Sequence, residues 1–374
     1  MNAILGVIFH FIGGFASGSF YIPYKKVKGW AWESYWLIGG LFSWLIVPPI
    51  AAWLTIPNFS EIISQAGGSV LGYAFLFGLL WGIGGLTYGL GVRYLGVSLG
   101  SSIILGLCMV FGALIPAIYY QLNPADGKDT IGLLTGTGWG QTVLAGLLVC
   151  IIGIIICGRA GMMKEKELAG TGVQNTDLNA AGNANSEAHI SGKDEYKFGL
   201  GILVAIISGI LSACFNFGIE AAKPMADVAN MLWKAQHPGQ GEFLYQNNVS
   251  YIVILWGGLT TNLIWCLILN ARNKTFGDYT SKKTPVLTNI IFCALAGTTW
   301  FLQFFFYGMG ESKLGNGPSS WILHMAFIIL VANIWGLVLK EWKGVSKKTM
   351  TTVVLGIIVI LISVLLVGWG NSMK

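Results

Sequence analysis

Ten stretches of this chain, each about twenty residues long, contain almost no Asp, Glu, Lys or Arg. About 20 apolar helical residues cross a hydrocarbon core about 30 Å thick, so the pattern predicts ten transmembrane helices. Their expected limits are 2–22, 34–54, 70–92, 97–120, 141–159, 198–219, 249–270, 287–310, 318–339 and 350–370. Only 10% of the residues are charged, 54% are hydrophobic and the mean hydropathy is +0.68. A water-soluble chain carries about 25% charged residues, so an ordinary soluble enzyme is excluded, and so is a disordered scaffold. The expected fold class is an all-α integral membrane protein whose surroundings are lipid.

The charges that remain are unevenly placed. The loops after the first, third, fifth, seventh and ninth spans hold 17 of the 22 basic residues, and the opposite set holds 5. The basic excess belongs on the cytoplasmic side, which puts both termini on the periplasmic side. The net charge of +6 then reads as membrane orientation, with no nucleic-acid partner implied. No cleavable signal is expected, because the first basic residue, Lys25, follows the first apolar run. Residues 161–197 are rich in Gly, Ala, Asn, Lys and Glu with no apolar periodicity, the composition of a flexible linker. The six cysteines lie in apolar runs without C-x-x-C spacing and read as buried small hydrophobes.

The chain also repeats itself. A shift of 219 residues lays Gly78, Trp81, Tyr88, Gly89, Gly91, Leu95, Gly96 and Ser101 on Gly297, Trp300, Tyr307, Gly308, Gly310, Leu314, Gly315 and Ser320. A shift of 210 aligns Thr142, Val143, Gly146, Val149, Ile152 and Gly158 with Thr352, Val353, Gly356, Val359, Ile362 and Gly368. A weaker match at 195 pairs Ser17 with Ser212, Phe20 with Phe215 and Lys28 with Lys223. The expected organisation is a first five-helix repeat at 1–160, the linker at 161–197 and a second five-helix repeat at 198–374. Because five is odd, the second copy enters the membrane inverted, an arrangement that places a shared cavity near the midplane and suits alternating access. Gly78, Gly82, Gly85 and Gly89 fall on one helical face, for close packing or for sliding.

No P-loop, G-x-S-x-G or H-E-x-x-H occurs, and no span holds a pair of carboxylates at helical spacing. Neither an enzyme nor a cofactor or metal site is expected. Protonatable groups inside a membrane are costly and therefore candidates for function. His10 and His324 lie well inside spans, as proton carriers or as neutral imidazoles bonded to a neighbouring helix. Glu220 ends the sixth span on the same face as Asn216, with Lys223 one turn on and Pro224 expected to break the helix; it holds a coupling proton, binds sugar hydroxyls or pairs with Lys223. Glu33, Glu311 and Glu341 sit at expected boundaries beside basic residues, where solvated capping or pairing is expected. A sugar offers apolar C–H faces and a ring of hydroxyls, and Trp81, Tyr88, Trp300, Gln303, Tyr307, Ser320 and Trp321 supply flat surfaces and polar groups to match. Membrane-interface anchoring is the alternative for the aromatics, and a neighbouring helix is the alternative partner for the Gln303 amide.

Several motifs carry a specific resemblance: Y-x-P-Y-K-K-V-K-x-W-x-W-E from Tyr21 to Glu33, W-G-I-G-G-L-T-Y-G-L from Trp81 to Leu90, R-Y-L-G from Arg93 to Gly96, A-A-K-P-M from Ala221 to Met225, W-F-L-Q-F-F-F-Y from Trp300 to Tyr307, S-W-I-L-H-M from Ser320 to Met325 and G-L-V-L-K-E-W from Gly336 to Trp342. Together they resemble the L-rhamnose/proton symporter (RhaT) family of the drug/metabolite transporter superfamily. The resemblance spans the chain outside the linker and residues 231–249. It implies ten spans in two inverted halves and uptake of L-rhamnose with a proton across a bacterial inner membrane. The chain departs from the family pattern at Gly85 and Thr87, where amides accompany the span-three tyrosine, and at Glu220, where Asn is usual. Rival expectations are an exporter or exchanger of another small metabolite on the same fold, and a sugar-binding membrane sensor without transport.

Overall fold

The computed structural model describes residues 2–95, 97–169, 198–340 and 342–374. Ten helices among them are long and apolar enough to cross a membrane: α1 (Ala3–Tyr24), α2 (Trp32–Thr55), α3 (Gly68–Leu95), α4 (Leu99–Leu122), α5 (Gly138–Leu168), α6 (Phe198–Gln236), α7 (Asn248–Asn273), α8 (Val286–Leu314), α9 (Gly317–Val338) and α10 (Lys347–Ser372). Every expected span has its helix, and the ends differ where side-chain contacts outweigh hydropathy. α5 continues to Ala169 because its last turns dock on the start of α10. There Glu167 accepts hydrogen bonds from the Ser346 amide and from the Ser346 and Thr349 hydroxyls, while Lys164 lies over the Trp342 ring. Residues 170–197 of the expected linker lie outside the described residues.

The largest departure is in α6. Pro224 does not break it; the helix runs on to Gln236. Beyond the proline, Met225, Ala226 and Ala229 are buried, and Ser250 of α7 donates its hydroxyl to the Ala222 carbonyl at 3.1 Å. Packing of this kind outweighs the single backbone bond a proline removes. α2 responds to Pro48 and Pro49 differently. Residues Leu41–Ile46 widen into a π-helical turn, in which the Val47 amide donates to the Phe42 carbonyl five residues back. That turn carries Trp44.

Tight caps join α8 to α9. Gly315 adopts φ +61°, the left-handed conformation that closes a helix at least cost, and its amide donates to the Glu311 carbonyl at 2.8 Å. Asn316 then caps α9 by accepting from the Ser319 amide at 2.8 Å, with Pro318 in the first turn.

The helices pack as α1 against α8 and α9, α6 against α3 and α4, α7 against α3, α2 against α7 and α8, and α5 against α10. Glycines set these contacts. A Cβ on Gly78 would sit 1.9 Å from the Ile254 carbonyl oxygen of α7, and one on Gly257 would sit 2.2 Å from that of Phe75 on α3. The expected glycine face of α3 therefore divides: Gly78 and Gly82 meet α7, while Gly85 opens onto a cavity. Likewise, a Cβ on Gly14 of α1 would meet Phe327 of α9 at 2.4 Å. Replacing Gly78 with Ala is expected to force α3 from α7 at a cost of about 1–3 kcal/mol, read as a lower melting temperature in detergent. The same change at Gly72, where nothing lies within 4 Å, is expected to keep or slightly raise the melting temperature, since Ala favours the helix over Gly.

Candidate functional site

A cavity of about 70 Å³ lies between α1, α2, α3, α4, α6, α8 and α9. Indole and phenyl rings form much of its wall. Trp81 and Trp300 lie 5.7 Å apart at 33°, Trp44 meets Trp300 edge-on at 5.7 Å, and Phe215 stacks on Phe304 at 4.0 Å. Trp321 closes another side, fixed by its indole N–H donating to the Cys108 carbonyl of α4 at 3.1 Å. The polar groups on the wall are few: Ser17, Tyr88, Ser212, Gln303 and His324. The Gln303 amide nitrogen donates to the Trp300 carbonyl one turn earlier at 2.9 Å, so the partner is its own helix. Its Oε1 has no hydrogen-bond partner among the described residues, and neither has Nδ1 of His324.

Six of the sequence-derived candidates therefore line one cavity: Trp81, Tyr88, Trp300, Gln303, Trp321 and His324. Five others, His10, Asn216, Glu220, Tyr307 and Ser320, lie outside the lining. Tyr307 is buried behind Trp321 and His324, at ring distances of 6.1 and 5.1 Å. Its hydroxyl donates to Asn216 Oδ1 at 3.4 Å, and the Asn216 amide donates to the Gly112 carbonyl at 2.8 Å, linking α8, α6 and α4. His10 packs edge-on to Tyr307 at 5.3 Å and lies 6.3 Å from His324; it is fully buried, with both ring nitrogens unpaired. Ser320 is also buried without a partner among the described residues.

The lining adds residues not singled out as candidates from the sequence. Ser17, Phe20, Ser212 and Phe215 had a signal, since the shift of 195 pairs them. Trp44, Leu105, Cys108 and Met325 carried none, because nothing in an apolar run separates a cavity-facing side chain from a lipid-facing one.

The carboxylates also differ from expectation. Glu220 is not paired with Lys223: its Oε2 accepts from Lys128 of the α4–α5 loop at 2.5 Å and from the Tyr120 hydroxyl at 2.8 Å. Lys128 reaches across from another segment, whereas Lys223 follows on the same helix. Beside this pair, Asp129 binds Lys374 at 2.6 Å. Burial pushes the Asp129 carboxyl above its ordinary range, against the pull of that ammonium. Glu33 and Glu311, expected at solvated boundaries, are both buried. Glu33 accepts from Asn273 and Thr275 at 2.9 and 2.8 Å, and Glu311 from Asn247 at 2.7 Å. Glu341 lies outside the described residues.

Comparison with known proteins decides the family. The family model for the L-rhamnose-proton symport protein (RhaT) matches residues 1–373. The chain belongs to the RhaT family. Two of its similar relatives are the L-rhamnose-proton symporters of Yersinia pestis (strain Pestoides F) and Yersinia pseudotuberculosis serotype O:1b (strain IP 31758). Each is 37% identical over 374 residues, covering 99% of this chain and 98% of the relative. RhaT is a transporter family, and its members are symporters, not enzymes. Within this RhaT chain, Asn216→Ala is expected to cost about 1–3 kcal/mol by leaving the Gly112 carbonyl and the Tyr307 hydroxyl unpaired in a buried site, measured by thermal unfolding in detergent. Asn123→Ala, which removes only an exposed bond to the Tyr119 carbonyl, is expected to change stability by less than about 0.5 kcal/mol.

Proposed function

We propose that this chain is a secondary active transporter importing L-rhamnose with a proton across the bacterial inner membrane, with both termini periplasmic. The observation that carries the cargo class is the cavity wall, where indole faces alternate with a few polar groups and Gln303 Oε1 is left unpaired. A deoxysugar fits that chemistry. Its C–H faces pack on Trp81 and Trp300, and its hydroxyls replace cavity water at Gln303, His324, Ser17 and Ser212. A water needs about 10–15 Å³ of such a cavity, so the observed space holds several that a sugar displaces.

Alternating access follows from two inverted five-helix halves. Two features support that reading. Helix α1 packs on α8 and α9 much as α6 packs on α3 and α4. Moreover, the repeat-related pairs Ser17 and Ser212, Phe20 and Phe215, and Trp81 and Trp300 all line the same cavity. In this reading α1 and α6 are counterparts that rock against the opposite halves. Residues Trp81, Tyr88, Asn216, Trp300, Gln303, Tyr307, Ser320 and Trp321 form or support the sugar path, and His10, Glu220 and His324 handle the proton.

Proteoliposomes test the coupling. An imposed proton gradient is expected to drive labelled L-rhamnose above its external concentration, and uptake that ignores the gradient sinks the symport reading. Trp300→Ala is expected to raise the half-saturating L-rhamnose concentration about tenfold, the equivalent of ~1.4 kcal/mol of lost contact. An unchanged half-saturation would remove that indole from the sugar site.

A further inference from the structure

Between the cavity and the Asp129–Lys374 end of the molecule lies a group of buried polar atoms that the sugar does not require. Glu311 stands one helical turn beyond Tyr307 on α8, on the same face. It is buried within the helix, and its one hydrogen bond is the amide of Asn247, donated to Oε2. No cation lies within ion-pair distance of it among the described residues. An ionised carboxylate buried without a paired cation costs several kcal/mol. A merely structural tie between α7 and α8 needs only a neutral amide at this position.

The surroundings are also unsatisfied. Oδ1 of Asn247 is buried without a partner among the described residues, as are both nitrogens of His10. His10 lies against the backbone beside Glu311, since a Cβ on Gly310 would sit 2.7 Å from its Nε2. The titratable groups around the carboxylate are Lys223 and Glu220 from α6, Lys128 from the α4–α5 loop and Tyr251 from α7, with His10 from α1 and Tyr307 of α8 beside them. Glu220 already has Lys128 as its ion-pair partner. Lys223 has no carboxylate within ion-pair distance among the described residues.

We infer that Glu311 is the carboxylate that takes up the transported proton, adjoining the cavity through Tyr307 and His10, with Lys223 as its longer-range counter-charge. Protonation removes one buried charge, and deprotonation restores it opposite Lys223. One proton bound or released per cycle is what symport requires. This inference rests on the transport reading above and assigns the proton to a residue outside the sugar cavity.

The test uses the full-length chain, as wild type, Glu311→Gln and Glu311→Asp. In purified protein, infrared difference spectra recorded across pH are expected to show a protonated carboxyl band that changes with pH in wild type, is missing in Glu311→Gln and persists, displaced, in Glu311→Asp. In proteoliposomes Glu311→Gln is expected to lose gradient-driven accumulation, its concentration ratio falling to about one, and to lose the pH dependence of half-saturation. Glu311→Asp is expected to keep both. Wild-type and Glu311→Gln spectra that match across pH overturn the assignment, as does accumulation by Glu311→Gln equal to that of wild type. An equal loss of uptake in both variants at every pH, with the carboxyl band unchanged, marks Glu311 as structural and also overturns it. A wild-type protein that moves no L-rhamnose refutes the transport reading instead, and the spectra still decide whether Glu311 binds the proton.

Discussion

Helix backbones in this protein touch where side chains would otherwise hold them apart. In lipid, Leu gains little by leaving its neighbours for another helix, so association depends on close van der Waals contact and hydrogen bonds. Gly78 and Gly257 bring α3 onto α7, Gly14 seats α1 on α9, and Gly356 of α10 packs so closely on α5 that a Cβ there would sit 2.5 Å from Cys157 Sγ. The paired helices are thereby held in register. Trp81 on α3 and Trp300 on α8 face one another because of that register, and so do the polar groups around them.

The second constraint is hydrogen bonding in an apolar medium. Most buried amides and hydroxyls bond within their own helix or to one neighbour. Asn262 donates to the Gly258 carbonyl and accepts from the Trp36 indole, while Asn270 donates to Cys266 and accepts from Ser34. Where α8 begins, Asn289 exchanges two bonds with the Lys28 backbone, and Asp278 accepts from Ala31 and Ser34. Among the described residues, buried side-chain groups without a partner occur near both ends of α8: Trp30 Nε1 and the Thr284 hydroxyl near its start, and both nitrogens of His10 and Oδ1 of Asn247 near its end.

The spans were legible because hydropathy averages over twenty residues and tolerates local error. Their ends were not. Pro224 looked like a stop because the sequence does not reveal that Met225, Ala226 and Ala229 are packed, and α5 outran its apolar run because Glu167 finds Ser346 and Thr349, almost two hundred residues away. In the cavity, Trp81, Tyr88, Trp300, Gln303, Trp321 and His324 stood out as polar or aromatic groups within apolar runs, and the internal match held the signal for Ser17, Phe20, Ser212 and Phe215. Trp44 depended on the π-turn, which no local pattern announced. Glu311 looked solvated because Lys313 is two residues away; helical geometry sends those side chains to different faces.

All six cysteines are buried, and Cys108 alone among them lines the central cavity. The chain therefore carries its own chemical reporter. A small water-soluble thiol reagent that modifies Cys108 has to enter that cavity, while the other five cysteines lie outside its lining. Membrane sidedness of the reagent then reports which mouth of the path is open, and a bound cargo molecule acts as a shield, all without first stripping the protein of its native thiols.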